Sequence, residues 1–154
     1  MEILAMRQQD VEGVFSLECE CFSSPWSKQS IENELSNPLA RFFVALSDGC
    51  VCGYIGTHTV LDECYITNIA VTKNIRRSGV GKSLLKTAVN SAQKNGASFI
   101  TLEVRQSNTP AIELYKKLGF KMQGNRKNFY DNPQEDGIIM TKSFDESFKE
   151  EEVN

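Results

Sequence analysis

The chain has one histidine, His58, in 154 residues. A histidine-built metal site therefore has almost no material, and the five cysteines do not supply one. Cys19 and Cys21, and Cys50 and Cys52, form Cys-x-Cys pairs, Cys64 stands alone, and none has the C-x2-C spacing of a zinc site. No metal is expected, and nothing local pairs His58 with a cysteine as a catalytic couple. The odd count also argues against a disulfide framework. A basic excess is missing too: 17 Lys and Arg face 20 Asp and Glu, a net charge of -3. That gives no footprint for nucleic acid or for a membrane surface. No apolar run is long enough to span a bilayer. The opening "MEILAMRQQD" carries an acid at once and turns polar, unlike a signal peptide, so a cytoplasmic protein is expected.

Hydrophobic residues are 40% and charged residues 24%, the composition of a globular chain with a real core. No repeat or linker divides it, so one domain is expected over 1–145, followed by an acidic, frayed tail over 146–154. "EILAM" reads as a strand. Asp10 is placed to cap a helix burying Val11, Val14 and Phe15, and Ser27 to cap a second with Ile31 and Leu35 on one face. "ARFFVAL" and "CVCGYIGTHTVL" flank "SDG", a hairpin signal, and Cys50 and Cys52 should share one strand face as small hydrophobes. "ECYITNIAVT" is another strand. Val80, Leu84, Leu85, Ala88, Val89 and Ala92 recur at helical spacing up to Asn95-Gly96. In "SFITLEVR", Ile100, Leu102 and Val104 face one way, and Thr101, Glu103 and Arg105 the other. Thr109 reads as a cap before Pro110, opening a helix with Ala111, Ile112, Leu114, Tyr115 and Leu118 inward. Two strands, "FKMQGNRKNFY" and "DGIIMTKSF", close the chain. The expected class is α/β, a mixed sheet with helices packed on it, in the order β-α-α-β-β-β-α-β-α-β-β.

"NIRRSGVGKSLL" ends in Gly-Lys-Ser like a nucleotide loop. A nucleotide loop needs a glycine where Arg76 stands, and a dinucleotide fingerprint needs one where Leu84 stands. What remains is R-x-x-G-x-G, with Gly79 and Gly81 between a strand and a helix. Glycines admit a tight turn, and the helix start offers unpaired amides and a favourable dipole to an anion such as pyrophosphate. Arg76, Arg77 and Lys82 add positive charge. The stretch taken alone fits equally well a strand-to-helix turn with its basic residues in solvent.

From "ECYITNIAVTKNIRRSGVGKSLL" through "ITLEVRQSNTPAIELYKKLGF", the chain resembles the GNAT superfamily of acyl-CoA-dependent N-acetyltransferases. "CFSSPWS", "LEVRQSNTPAIELYKKLGF" and "RKNFYDNPQEDGIIM" are most similar to its RimI-type ribosomal-protein-alanine members. The resemblance covers nearly the whole chain apart from the tail. It implies the GNAT fold, acetyl-CoA as co-substrate, and a pyrophosphate held by backbone amides across Arg76, Arg77, Ser78, Gly79, Val80, Gly81 and Lys82. Arg76 stands where many relatives carry Gln, a small departure if backbone makes the contacts. Ile69, Ala70 and Val71 are implied to pair with the pantetheine arm, and Asn108 to touch it. Glu103 is implied to be the general base and Tyr115 the general acid. Both roles are chemically reasonable, since an α-amine has a pKa near about 8 and a phenol near about 10. From the residues alone, Glu103 reads first as a salt-bridge partner of Arg105 or a lysine, and Tyr115 as a core tyrosine.

The implied acceptor is a protein N-terminus, the alanine of a small-subunit ribosomal protein, between "CFSSPWS" and "RKNFYDNPQED". Glu20, Asp131, Glu135 and Asp136 could draw a basic peptide or be solvated loop charges. A GNAT acting on a lysine side chain, a polyamine or another small amine is the nearest rival. A non-catalytic acyl-CoA sensor is the rival outside enzymes, and it would need neither Glu103 nor Tyr115.

Overall fold

The computed structural model describes residues 1–144. The tail expected over 146–154 lies outside the described residues. The elements run β1 (Glu2–Ala5), α1 (Val11–Cys21), α2 (Lys28–Asn33), β2 (Ala40–Ser47), β3 (Cys50–Val60), β4 (Glu63–Val71), α3 (Val80–Lys94), β5 (Phe99–Arg105), α4 (Thr109–Lys117), β6 (Lys121–Tyr130) and β7 (Glu135–Ser143). This is the order expected from the sequence. Single 3-10 turns at Gln8–Asp10, Glu34–Ser36 and Lys73–Ile75 are added to it.

The seven strands form one sheet in the order β1-β2-β3-β4-β5-β7-β6. Every neighbouring pair is antiparallel except β4 and β5. The β2–β3 turn has Asp48 at φ 50° and Gly49 at φ 80°, the two positive values that a two-residue type I′ hairpin requires.

Each face of the sheet carries a core. On one face, Val80, Leu84, Leu85, Ala88, Val89 and Ala92 of α3 pack with Ile55, Ile100, Leu102, Val104 and Met140, and with Tyr115 of α4. Leu84 and Leu85 have no exposed surface, and each contributes roughly 1.5–3 kcal/mol of burial. On the other face, Val11, Val14 and Leu17 of α1 and Ile31 of α2 pack on Phe42, Val44, Tyr54 and Ala70. That second cluster holds no residue of β5, β6 or β7. The alternation expected for β5 is present: Ile100, Leu102 and Val104 are buried, with half-buried residues between them.

Four local expectations are corrected. Asp10 does not cap α1. Its carboxylate accepts from the Arg7 backbone N–H at 2.9 Å and from the Arg7 guanidinium at 3.0 Å twice. That bidentate pair outcompetes a cap bond and holds the Asp10 carboxyl below its ordinary range. Leu35 leaves the face of Ile31, because the α-helix tightens to a 3-10 turn after Asn33, and it is 38% exposed. The cap of α4 is Asn108 rather than Thr109, its side chain accepting from Ala111 N–H at 3.3 Å. Cys50 does not share the burial of Cys52. It is exposed where β3 leaves the hairpin, while Cys52 is buried and donates to the Ala45 carbonyl at 3.4 Å. Ser27 caps α2 as expected, accepting from Ser30 N–H at 3.1 Å.

Candidate active site

β4 and β5 pair over three residues only: Glu63 with Phe99, Cys64 with Ile100 and Tyr65 with Thr101. Beyond Tyr65 the two strands share no register. A bulge lies at this point on the other edge of β4. Gly56 of β3 faces Asn68 and Thr57 faces Ile66, so Thr67 has no opposite residue. The Thr67 hydroxyl is buried and has no hydrogen-bond partner among the described residues.

The backbone alternation of β4 follows from its end. Thr72 N–H donates to the Cys52 carbonyl at 2.9 Å, which makes Thr72 and Cys52 a hydrogen-bonded antiparallel pair. Ala70 opposite Tyr54 is then hydrogen-bonded as well, so its polar groups are committed to β3. Ile69 and Val71, opposite Ile55 and Gly53, turn theirs outward, toward the side of β5. Of the three residues expected to pair with a ligand arm, Ile69 is therefore disposed to do so, and Val71 through its N–H alone, because its carbonyl accepts from Arg76 Nε and Cys21 Sγ.

The loop after β4 ends at a left-handed residue. Gly79 caps α3 at φ 89°, with no side-chain cap and no acidic residue in the first turn. Arg77 is also left-handed, at φ 71°. By helix geometry the first amides of α3, at Val80, Gly81 and Lys82, have no partner within the helix. A Cβ on Gly81 would meet Val71 Cγ2 no closer than 3.7 Å, so the chain's own packing does not demand a glycine there. Its smallness leaves the turn open to approach from outside. The Ser78 hydroxyl donates back to the Ile75 carbonyl. Arg76 is exposed but folds back on the chain: Nε donates to the Val71 carbonyl at 3.0 Å, and Nη2 lies 3.3 Å from Cys21 Sγ. Arg76 thus braces the loop rather than projecting from it.

Glu103 and Tyr115 lie on opposite faces of the sheet. Tyr115 is 5% exposed among Leu102, Val104 and Met140, its ring centroid 5.9 Å from that of Phe120. Burial, with Tyr130 adding to it, pushes its phenol up to about 12. Glu103 is half-buried on the other face, in a groove of about 780 Å³ lined by Tyr65, Thr101, Arg126, Ile139 and Thr141 among others. Its Oε1 is 3.0 Å from Arg126 Nε. The salt bridge allowed for at Glu103 exists, but its partner is Arg126 of β6. Arg105 is elsewhere: it donates to the Asp131 and Pro133 carbonyls, both at 2.8 Å, and to Glu135 at 3.3 Å. Its guanidinium carbon also lies 4.6 Å from the centroid of the Tyr130 ring.

Tyr130 lies under the Arg105 guanidinium. Burial first, then the Glu103 carboxylate, pushes its phenol up to about 12, and Tyr130 in turn acts on Tyr115. Composition and spacing gave no signal for this tyrosine, because only the folded β6–β7 turn brings it here. That turn reaches the loop after α1, where the Ser23 hydroxyl donates to the Asn132 carbonyl at 3.3 Å. The two expected walls therefore meet. Three of the four loop acids are occupied. Glu20 accepts from Thr72 Oγ1 at 2.9 Å and Lys73 N–H at 2.8 Å, and Glu135 from Ser107 N–H at 2.6 Å. Asp136 accepts from Asn128 N–H at 2.9 Å.

Among the described residues, no helix is long and apolar enough to cross a membrane. Residues 11–120 match the family described as the acetyltransferase (GNAT) family. A Bacillus subtilis protein described as a candidate ribosomal protein bS18-alanine N-acetyltransferase is 41% identical, over 92% of this chain and 94% of its own. The ribosomal protein bS18-alanine N-acetyltransferase of Escherichia coli K12 is 32% identical, over 90% of this chain and 94% of its own. The crystal structure of the Escherichia coli ribosomal-protein-S18-alanine N-acetyltransferase superposes with a TM-score of 0.85 at 31% identity, covering 92% of each chain.

Proposed function

The chain belongs to the GNAT acetyltransferase family, and from that premise we propose that it moves the acetyl group of acetyl-CoA onto the N-terminal α-amine of a protein, the alanine of a small-subunit ribosomal protein. The observation that carries this reading is the separation of β4 from β5 beyond Tyr65 and Thr101, with Glu103 on one face and Tyr115 on the other. An acyl donor held against β4 and an amine arriving along the Glu103 groove meet there. The acceptor named in the two relatives' descriptions supports the choice of a ribosomal protein N-terminus.

The residues present fit acetyl-CoA. Ile69 offers its outward backbone groups, and Val71 its N–H, to a peptide-like arm, as an edge does to an added strand; the Val71 carbonyl already accepts from Arg76. Thr67 offers a buried hydroxyl with no partner among the described residues. Gly79, Val80, Gly81 and Lys82 offer amides at a helix start to a pyrophosphate. Asn108 stays in reach through its side-chain N–H2, its oxygen being occupied as the cap. When bound, the thioester supplies an activated acetyl group.

Glu103 receives a proton from the amine at the carboxylate oxygen that Arg126 does not hold. The free amine would attack the acyl carbon, a C–N bond forming as the C–S bond breaks. Tyr115 gives its proton to the departing sulfur. The second proton lost by the nitrogen would then pass through water to the Tyr115 oxygen. An outward β4 amide supports the oxyanion during the attack. The test is acetyl transfer to an alanine-start peptide, followed by thiol release and mass spectrometry. A second copy of the peptide has its α-amine blocked and one internal lysine. Transfer to the first alone is expected; equal transfer to both overturns the N-terminal assignment.

A further inference from the structure

The acceptor-side loop and the acyl-side strand are tied together by one buried carboxyl, that of Glu18 in the last turns of α1. Glu18 is 1% exposed. Oε1 accepts from the Trp26 backbone N–H at 2.8 Å. Oε2 accepts from the Tyr54 hydroxyl at 2.6 Å and from Asn68 Nδ2 at 3.2 Å. Asn68 Nδ2 also lies 3.1 Å from the Tyr54 oxygen, which closes the network. Trp26 belongs to the loop after α1, the segment expected to wall the acceptor's path. That loop does not line the Glu103 groove itself but meets the β6–β7 turn through Ser23 and Asn132. Asn68 immediately precedes Ile69, the first residue of β4 with backbone turned toward the acyl arm.

A buried carboxyl is an expensive way to fill this position. The neighbouring inward positions of α1 are Val14 and Leu17, and an apolar residue at 18 would pack without desolvating a charge. What Glu18 adds is a fixed geometry between two segments that are distant in sequence. The rest of the helix end continues the pattern. Glu20 holds Thr72 and Lys73, and Cys21 Sγ lies 3.6 Å from the Val71 carbonyl and 3.3 Å from Arg76 Nη2. The end of α1 therefore bonds in series to the acyl strand and the phosphate loop, while its C-cap, Phe22, opens the acceptor loop.

We propose that Glu18 is a positioning residue of the transfer reaction, setting the acceptor loop at Trp26 in register with β4 at Asn68. The proposal rests on the acceptor groove assigned under Proposed function. Glu18 touches neither reactant and acts through the loop it holds.

Glu18→Gln is nearly isosteric but cannot accept on both sides, and Glu18→Asp keeps the charge with a reach shorter by one carbon. Either one is expected to raise the acceptor-peptide KM roughly tenfold while the acetyl-CoA KM stays within about twofold. Hydrogen exchange at the Trp26 amide should quicken by roughly the same tenfold. Tyr54→Phe controls for simple loss of packing. It removes two buried hydrogen bonds, the one Tyr54 donates to Glu18 and the one it accepts from Asn68, yet leaves Glu18 bonded to Trp26 and Asn68, so it should lower Tm and leave the acceptor KM within about twofold. An unchanged acceptor KM in both Glu18 variants, or both KM values rising together, overturns the proposal. Should the wild type transfer to no alanine-start peptide, the functional reading fails on its own. Trp26 exchange still decides Glu18 in that case, because an unchanged rate in the variants overturns the tie itself.

Discussion

Tyr65 and Thr101 form the last pair between β4 and β5. Up to that pair the sheet is continuous, and beyond it two strands that began side by side leave their facing edges open. The bulge at Thr67 falls two residues further along β4, and Glu103 two residues further along β5. The proposed chemistry thereby falls at an interruption of the sheet, where each strand can serve a different reactant. The family's shared reaction needs such a place, because donor and acceptor must approach one carbon from two sides.

Tyr115→Phe removes a proton donor and little volume. We expect kcat to fall roughly 10²-fold, with acetyl-CoA affinity within about twofold of wild type, measured by steady-state turnover and calorimetry. The direction of its pKa shift gives a second check. Burial raises the phenol to about 12, so the acid form persists well above neutral pH. In an assay where product release is not limiting, kcat should stay level from about pH 8 to about pH 10. A basic limb centred near the ordinary phenol value that is absent in Tyr115→Phe would count against this environment.

Gly79→Ala tests the phosphate loop. A Cβ at Gly79 meets nothing within 4 Å, so no clash is introduced. The cost lies in φ 89°, which an alanine tolerates at about 1–2 kcal/mol. Relaxation of the turn should move the α3 amides and raise the acetyl-CoA KM several-fold. The acceptor KM should hold. A variant with unchanged acetyl-CoA KM would separate this turn from cofactor binding.

Arg105→Lys tests the far wall. The guanidinium reaches two carbonyls and a carboxylate at once and lies over the Tyr130 ring. An ammonium cannot reproduce that fork. The acceptor KM is expected to rise roughly tenfold, with the acetyl-CoA KM within about twofold. Equal kinetics in the two proteins would mean that the β6–β7 turn holds its place without Arg105.

Local patterns were legible in the sequence where the relevant interactions are local. The period-2 alternation of β5 and the inward face of α3 follow from residue spacing alone, and both are present. The hairpin at Asp48-Gly49 was legible for the same reason. Side-chain choices that turn on competition were not. Asp10 looks like a cap until Arg7 claims its carboxylate, and Asn108 rather than Thr109 reaches the Ala111 amide. Contacts between distant segments were the least accessible. Glu18 reads as an ordinary acid on a helix, and neither Trp26, Tyr54 nor Asn68 announces itself as its partner. Arg126 at Glu103, and Tyr130 under Arg105, depend on how β6 and β7 fold back beside β5. The splaying of β4 from β5 leaves no mark in either strand's own pattern.

Initial rates of acetyl transfer to one alanine-start peptide, wild type beside Glu103→Gln, test the central claim most directly. Acetyl-CoA binding is measured on both proteins by calorimetry. The substitution keeps the shape of the side chain and removes its ability to take a proton. The account predicts a fall in kcat of roughly 10²- to 10⁴-fold with acetyl-CoA affinity within about twofold of wild type. A Glu103→Gln protein that turns over at nearly the wild-type rate would contradict it, and would leave Glu103 as no more than the partner of Arg126.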